Sequence, residues 1–508
     1  MGFVLFRGSF RSGRGAFAGP RTMSKRSQVS PKISAVSFLL LVLCPLVFPQ
    51  AKPNSDTKSL VFTHVTVIDA TGAKPEPNMT VVIKNNRIAS IGKSGKVRVP
   101  RPALVVNARG QFLIPGLWDM HVHTSDKSFL NLFIANGVTG VRDMGGSPKE
   151  FELLQQWRAQ IRNKTLVGPR IVAAGTHVDG PKPTGRPNSL NASSAAEGRQ
   201  AVDILKERGA DFIKVYSMLS REAYFAIAEE AKRQKLPFAG HVPAAISAAE
   251  ASDAGQKSME HLFGVFTACS SDEVRLRNEL VTAVAKTGFS IFVQAEIAAQ
   301  LQTISTYDDK KAAGLFARLV QNKIWQVPTL AGWQTLTIGD DSHFRNDLRL
   351  KYIRPEKRET WRLQRTALLQ SLGTEYLSRR VELFDKQLTV VGEMHRAGIR
   401  LMSGTDTAAP FLYPGFSLHD ELTLLVQAGL TPMEAVQAAT RNPAEFLGLL
   451  ASLGTVERGK IADLVLLEAD PMQEISNTRK IAAVVIAGKL LTKSTLRKML
   501  AGTVAQGE

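Results

Sequence analysis

Cysteine is nearly absent from this chain. Only Cys44 and Cys269 occur among its 508 residues. Cys44 lies in an apolar N-terminal stretch, so a mature chain that begins after it would keep one cysteine and form no internal disulfide. The sequence therefore excludes a disulfide-stabilised scaffold, and we expect the fold to depend on its hydrophobic core.

Acidic residues are missing from positions 1–51, which hold seven Lys or Arg. These positions supply part of the net charge of +19, and the remainder carries 57 basic and 45 acidic residues, a net +12. Aromatic residues make up only 7% of the chain, and no run of Lys or Arg is interleaved with them. We therefore expect no nucleic-acid partner and interpret the positive charge as a solvated surface.

A long apolar run occurs near the N-terminus, at 33–49, after a basic segment around Lys25. This order is typical of a secretory signal, and Ala51 supplies the small residue of a cleavage site. We expect 1–51 to be a signal peptide, with Met23 as the alternative start, and the chain to be exported to a periplasm or secreted. An uncleaved anchor is the alternative and would be the only contact with a membrane.

The two ends of the remaining chain share a β-rich composition. The length calls for two domains or one large barrel with additions, and 44% hydrophobic with 21% charged residues indicates a globular protein. Short β-rich runs separated by turns fill 58–110 and return at 453–493. We predict that segments 52–110 and 451–508 together build one small β-sandwich.

Strand-like and helix-like segments alternate between these ends. A capping box at Ser194 and Glu197 and another at Thr431 and Glu434 predict helix starts. Together with a strand after Gln111, the strand candidates number eight, which predicts an α/β fold, a (β/α)₈ TIM barrel over 111–450. The other seven candidates are 137–142, 170–174, 211–216, 237–241, 257–261, 325–330 and 399–404.

The seventh strand is ambiguous, because the apolar run 289–293 competes with 325–330. The region 270–395 is longer than a normal pair of strand–helix units, and much of it is polar and helical in pattern. We predict that it forms an insertion or a lid near the site.

Two histidines one residue apart end the apolar run after Gln111. Residues i and i+2 of a strand share a face, so His121 and His123 leave the strand side by side at a spacing that suits one metal ion. The alternative is a surface strand end with two solvated imidazoles. Further metal-ligating residues fall at the ends of other predicted strands, namely His241, His261 and Asp406, and Lys214 ends another. Since barrel sites lie at the carboxyl ends of strands, these side chains are expected to meet.

These motifs resemble the amidohydrolase superfamily, and within it the branch of imidazolonepropionase-related enzymes and prolidase-like dipeptidases. The resemblance covers about 58–493, and its motifs fall in the same order. They are Pro115-Gly-Leu-Trp-Asp-Met-His-Val-His123, Phe212-Ile-Lys-Val215, Gly240-His241, Met259-Glu-His261, Ser403-Gly-Thr-Asp406, the stretch 429–444 and Gly459-Lys-Ile-Ala-Asp-Leu-Val465.

The resemblance implies two divalent metal ions. His121, His123 and Asp406 would bind one ion, and His241 with His261 the other. A protonated Lys214 between two cations would be repelled, whereas a CO₂-derived carbamate on its amine would be an anionic bridge. The alternative is a Lys214 that pairs with an acid or reaches solvent.

The same resemblance implies a hydrolase. Imidazole and carboxylate ligands suit Zn²⁺, and also Mn²⁺ or Co²⁺. A metal-bridging hydroxide would attack a carbonyl carbon. Asp406 would be the proton shuttle, passing the proton of the water to the leaving nitrogen.

Substrate contacts are expected from Tyr216, Arg142 and His177, since each lies at or just after a predicted strand end. Lys182 and Arg186, in the loop after the third strand, could hold a substrate carboxylate. A strand-end tyrosine without a role, an Arg142–Asp143 pair at the rim and a surface loop are the structural alternatives.

The leading hypothesis is hydrolysis of an amide C–N bond in a small molecule, a dipeptide or an N-acyl amino acid. The alternatives are a lactone, ester or phosphotriester hydrolase on the same binuclear site, a mononuclear cyclic-amidine or amide hydrolase or deaminase without Lys214 as a ligand, and a metal-dead scaffold. None of the six ligand positions departs from the family pattern, which disfavours the scaffold. Oligomeric state stays open, with a homo-oligomer as one possibility.

Overall fold

The computed structural model describes residues 59–181, 188–287, 289–338 and 342–504. Its helices are α1 (Phe129–Ala135), α2 (Pro148–Arg162), α3 (Ala195–Glu207), α4 (Arg221–Arg233), α5 (Ala248–Asp253), α6 (Glu273–Thr287), α7 (Phe289–Thr306), α8 (Asp309–Gln321), α9 (Leu330–Thr337), α10 (Ser342–Arg345), α11 (Pro355–Arg396), α12 (Phe416–Gln427), α13 (Pro432–Ala438), α14 (Arg441–Phe446) and α15 (Lys493–Val504). Short 3₁₀ helices cover Thr267–Cys269, Leu348–Tyr352 and Ile475–Arg479.

The strands are β1 (Ser59–Val67), β2 (Glu76–Lys84), β3 (Arg87–Lys93), β4 (Ala103–Asn107), β5 (Phe112–Pro115), β6 (Leu117–Val122), β7 (Val138–Asp143), β8 (Arg170–Ala173), β9 (Val178–Asp179), β10 (Leu190–Asn191), β11 (Ile213–Val215), β12 (Phe238–Gly240), β13 (Ser258–Glu260), β14 (Trp325–Val327), β15 (Arg400–Leu401), β16 (Leu464–Leu467), β17 (Ile481–Ile486) and β18 (Lys489–Thr492).

Strands from both ends of the described chain share one sheet, in the order β18-β17-β16-β5-β1-β2-β3, with β4 beside β1. β5 lies parallel to β1 and antiparallel to β16, so it joins the two ends. Alternate residues of these strands, among them Phe62, Val81 and Leu464, bury a core separate from that of the barrel. The predicted β unit shared by both chain ends is confirmed.

The barrel predicted from the alternating pattern is also confirmed. Its parallel strands are β6, β7 and β8, followed by β11 to β15. β9 pairs in parallel with β11 and with β10. The ring closes where Met120 N donates to Ser403 O at 2.9 Å. The strand expected after Gln111 divides at Gly116, so β5 enters the terminal sheet and β6 opens the barrel. A Cβ at Gly116 would lie 2.1 Å from Thr139 Oγ1, which explains why glycine stands at this division.

The seventh barrel strand is β14, within the predicted 325–330, whereas the competing run 289–293 lies in α7. The long region before the eighth strand folds as helices α6 to α11, apart from β14. α11 contains one non-helical residue, Gly373, whose φ of 74° separates it into two helical arms. The first arm, 355–372, contributes to the site described below.

Helix starts follow the sequence signals with one difference. At α13 the Thr431 and Glu434 side chains form the complete capping box, and Pro432 is the first residue. At α3 Ser194 Oγ accepts from Glu197 N, but the Glu197 carboxylate accepts from Ser193 N instead of closing the box. Only half of that predicted box is therefore formed.

Two predictions lie outside the described residues, namely the signal peptide at 1–51 and the two loop cations Lys182 and Arg186. Both stay predictions. Among the helices that the structure does describe, none combines the length and apolarity that a membrane span requires.

Candidate metal centre

Four histidines meet at one end of the barrel. His121 lies in β6 with His123 just beyond it, while His241 and His261 directly follow β12 and β13. The ring centres of His121 and His261 are 4.4 Å apart, those of His241 and His261 5.0 Å, and those of His121 and His123 5.5 Å. The carboxyl ends of parallel strands share one rim, so residues far apart in sequence converge here.

Each of these rings is hydrogen-bonded through Nδ1. The partners are Glu260 Oε2 for His121 at 2.9 Å, Gly145 O for His123 at 2.6 Å, Ser217 Oγ for His241 at 2.6 Å and Thr329 Oγ1 for His261 at 2.7 Å. Metal-ligating histidines have this arrangement, in which one nitrogen is oriented by the protein and the other faces the ion. Nε2 of His121 is buried and forms no hydrogen bond with any described residue.

Asp406 supplies a carboxylate to the same cluster. Its Oδ1 lies 3.2 Å from His123 Nε2 and 3.4 Å from His121 Nε2. Ligand atoms of His121, His261 and Asp406 all lie within 4.8 Å of one another. Burial alone would raise the pKa of Asp406, but the hydrogen bond with His123 and the neighbouring imidazoles outweigh it, so the pKa is well below its usual range. The carboxylate is therefore held in its charged, ligating form.

Burial has the opposite effect on the imidazoles. It lowers the pKa of His261 to about 4 and that of His121 well below its usual value, and in both the charge of Lys214 adds to the decrease. Both rings are thus neutral near neutral pH, which is the protonation state that can ligate a metal.

Lys214 lies in β11 and is fully buried. Its Nζ is 5.6 Å from the ring centre of Tyr216. A Cβ at Gly240 would approach Lys214 Cδ to 2.9 Å, so the glycine before His241 leaves room for the lysine stem. The lysine is close enough to the histidine cluster to shift the pKa of both His121 and His261.

The donor set fits divalent metal. Imidazole nitrogens oriented from behind, one charged carboxylate and an unsatisfied buried Nε2 are the features that a zinc site needs. The structure brings all six predicted ligand residues to one end of the barrel.

Arg142 is a correction to the predicted substrate contacts. It is fully buried in the barrel, where its guanidinium donates to Glu260 at 2.9 and 3.0 Å, to Met120 O at 2.6 Å and to Ser258 Oγ at 2.8 Å. It does not line the cavity and does not pair with Asp143. A strand position shows which face a side chain takes but not its depth, and the long side chain of Arg142 points toward the barrel core.

Several supporting residues were missed. Glu260 accepts from His121 and Arg142, and the Arg142 charge holds its pKa well below its usual range although burial opposes this. Asp119 accepts from His121 N and from Thr405, and burial raises its pKa to about 7. A signal was present for both, since Asp119 is two residues before His121 on the same face and Glu260 directly precedes His261. Ser217 and Thr329 gave no such signal.

A cavity of about 520 Å³ opens beside the cluster. Tyr216 and His177 line it, and their contact with a substrate stays a prediction. The Tyr216 ring is 4.1 Å from that of His241 and 5.2 Å from that of His177, which lies 5.7 Å from His123. Such a volume accommodates a small organic molecule in contact with the cluster.

Sequence comparison relates this chain to known proteins of one family. The model of the amidohydrolase family matches residues 112–491. Ochratoxinase of Aspergillus niger is 24% identical over 494 residues, covering 84% of this chain and 85% of that protein. Imidazolonepropionase of Agrobacterium fabrum is 36% identical over 98 residues, which is 18% of this chain and 22% of its own. The resemblance drawn from the sequence motifs is confirmed.

Solved structures show the same fold. A bottromycin amidohydrolase superposes with a TM-score of 0.69 at 24% identity, covering 89% of this chain and 91% of its own. A Xaa-Pro dipeptidase with bound methionine gives a TM-score of 0.62 at 20% identity, covering 86% of this chain and all of its own.

Proposed function

The chain belongs to the amidohydrolase family, and on that premise we propose that it hydrolyses an amide C–N bond of a dipeptide or an N-acyl amino acid with two divalent metal ions, Zn²⁺ being the expected one. His121, His123 and Asp406 would hold one ion, and His241 with His261 the other. Lys214, carboxylated by CO₂, would lie between them.

The observation that carries this proposal is the shared orientation of the four histidines. Each uses Nδ1 for a protein hydrogen bond, which reserves Nε2 for a ligand. A scaffold without metal would have no reason to orient four rings in this way, three of them buried. The fully buried Lys214 adds a second argument, because a carbamate on its amine would replace a positive charge buried among imidazoles with an anionic ligand.

The chemistry follows from the side chains around the ions. When bound, the metal pair would supply a nucleophile from water near neutral pH and polarise the substrate carbonyl. Asp406 Oδ1 lies 3.4 Å from His121 Nε2 and 3.2 Å from His123 Nε2. From there it would accept the proton of the water and return it to the leaving nitrogen. Tyr216 and His177 face the same cavity and would position the substrate beside Asp406.

Metal content per purified chain, after expression with zinc and bicarbonate, tests the proposal. About two equivalents, together with hydrolysis of dipeptides or N-acyl amino acids in preference to their matched esters, is the expected result. One equivalent would favour the mononuclear alternative, and preference for the ester would favour the lactone or ester hydrolase. A folded protein that binds no metal would overturn the proposal.

A further inference from the structure

The cavity has an aromatic side next to two of the histidines. Phe263 follows β13, Phe292 lies in α7 and Trp333 in α9, and all three line the cavity. The ring of Phe263 is 5.3 Å from that of Phe292 and 5.9 Å from that of Trp333. It is also 5.0 Å from His241 and 5.1 Å from His261. We call these three residues the aromatic wall; it offers an apolar or aromatic group a contact surface beside the metal centre.

The first arm of α11 forms another side of the cavity. Its cavity-lining residues are Lys357, Gln364, Arg365 and Leu368, whose spacing places them on one helical face. Trp361, on the same face, donates from Nε1 to Ala408 O at 3.1 Å. This bond fixes the arm against the loop that carries Asp406, so the two cations of the arm have a defined place relative to the site.

These two cations differ in how they are bound. Arg365 donates to Ile338 O, and its guanidinium lies 4.4 Å from the ring centre of Phe344. Lys357 is half-buried, and its side chain makes no ion pair or hydrogen bond with any residue that the structure describes. The guanidinium of Arg365 is therefore already engaged by the protein, whereas Lys357 keeps its charge available.

The acids near Lys357 are engaged elsewhere. Glu150 accepts from Ser147 N at 2.6 Å, and Asp126 is paired with Arg354. Burial lowers the pKa of Lys357, although the charges of Glu150 and Asp126 oppose the decrease. A half-buried ammonium in a cavity gains most from an anion that enters with the substrate.

We propose that Lys357 binds the free carboxylate of the substrate while the aromatic wall receives an apolar side chain, so that the preferred substrates are N-acyl derivatives of aromatic amino acids, dipeptides included. This inference rests on the proposed amide hydrolysis and narrows its substrate class. It assigns the carboxylate to a residue of α11, within the long region predicted from sequence to be an insertion or lid.

The test compares N-acetylphenylalanine with N-acetylphenethylamine, which differ only in the carboxylate. On the zinc-loaded full chain we expect kcat/KM to be about 10- to 100-fold higher for the acid, because hydrogen bonds to charged groups are stronger than neutral ones. Lys357→Met should remove this preference by raising KM for N-acetylphenylalanine. It should leave kcat/KM for N-acetylphenethylamine, which has no carboxylate, unchanged. Lys357→Arg should keep part of it. N-acetylalanine should be poorer than N-acetylphenylalanine by about 10- to 100-fold, the value of one buried aromatic group.

Binding separates this inference from the proposed function. Calorimetry with the two products, phenylalanine and phenethylamine, needs no turnover. Tighter binding of phenylalanine that is lost in Lys357→Met but kept in Lys351→Gln would support the role of Lys357, because Lys351 is an exposed lysine outside the cavity. Equal affinity of wild type and Lys357→Met for phenylalanine would overturn it, even if amides are hydrolysed. Zinc-loaded protein that binds phenylalanine through Lys357 but hydrolyses no amide would overturn only the proposed function.

Discussion

The two pairs of histidines in the metal centre are supported by different chemistry. His121 and His123 face a carboxylate and a backbone carbonyl, both of which only accept hydrogen bonds. His241 and His261 face the hydroxyls of Ser217 and Thr329, which can donate or accept. The first pair therefore has its proton fixed on Nδ1 and its Nε2 lone pair fixed for a ligand, whereas the second pair can take either tautomer.

This difference indicates a pre-set half and an adaptable half. The Glu260 carboxylate that orients His121 is a buried negative charge and needs a counter-ion. Arg142 is that counter-ion and pairs with Glu260 inside the barrel. Neutral support by hydroxyls needs no buried counter-charge. We therefore expect the first metal to bind at His121, His123 and Asp406 and the second, weaker one at His241 and His261.

Lys214→Ala should have the largest effect, because it removes the proposed link between the halves. We expect metal content to fall from about two equivalents to about one, with the pre-set half retained. Activity should decrease by about 10³-fold, corresponding to several kcal/mol of lost charge stabilisation. Metal analysis and kcat on the same preparation check this, with thermal unfolding as the folding control. Unchanged metal content would reject Lys214 as a bridge.

Glu260→Gln should break the pre-set half. It removes the charge behind His121 and leaves Arg142 buried without its counter-ion, which costs about 3–5 kcal/mol of unfolding free energy. Affinity for the first metal should fall by about 10- to 100-fold.

The double variant Glu260→Gln with Arg142→Met is the matched control. It should recover stability, since no charge is left unpaired, but not the metal affinity. Recovery of both would mean that the Glu260 charge acts only on folding and not on His121.

Glu421 lies close to the adaptable half and should make the stability of the fold depend on pH. It accepts from Ala331 N at 2.7 Å at the start of α9, two residues after Thr329, and burial raises its pKa to about 8. The folded chain therefore retains a proton that the unfolded chain releases near pH 4.5. Its stabilising contribution is complete below that pH and is lost as the pH rises to about 8, by about 1.4 kcal/mol per pH unit.

Chemical denaturation between pH 5 and 8 measures this loss. Glu421→Gln should remove this part of the slope, so that the variant gains stability relative to wild type as pH rises. An identical slope in both proteins would show that Glu421 is ionised in the fold.

Ser217→Ala should have the smallest effect. Loss of the Ser217 hydroxyl removes one neutral hydrogen bond, worth about 1 kcal/mol. The affinity for the second metal should fall by about tenfold, and the affinity for the first should not change. Metal titration resolves the two steps, and Thr329→Val should behave alike. A larger loss at the first step than at the second would reverse the assignment of the halves.

The fold and the ligand positions could be predicted because both depend on local pattern. Parallel strands end at one rim, so His121, Lys214 and Asp406 were expected to meet although almost 300 residues separate the first from the last. The supports could not be predicted in the same way. Thr329 reaches His261 from 68 residues away, through a loop whose path the sequence pattern does not specify.

The depth of a side chain inside the barrel and the packing of the long helical region could not be predicted either. Arg142 was predicted at the rim, because alternation along β7 gives the face but not the distance from the barrel axis. Lys357 lies in a region whose helical pattern was visible, but its place over the cavity depends on the packing of Trp361 against the loop after Asp406. A contact of this kind joins a helix to a distant loop, and no repeating sequence pattern links the two segments.

The pairing of β5 with β16 has a consequence for synthesis on the ribosome. β5 receives its second neighbour only after about 350 further residues have been made. At about 5–20 residues per second this takes about 20–70 s. For that time the apolar edge of β5, with Leu113 and Ile114, has no β16 beside it and can pair with other strands. The nascent chain therefore carries an aggregation hazard at β5, the strand that later joins its two ends.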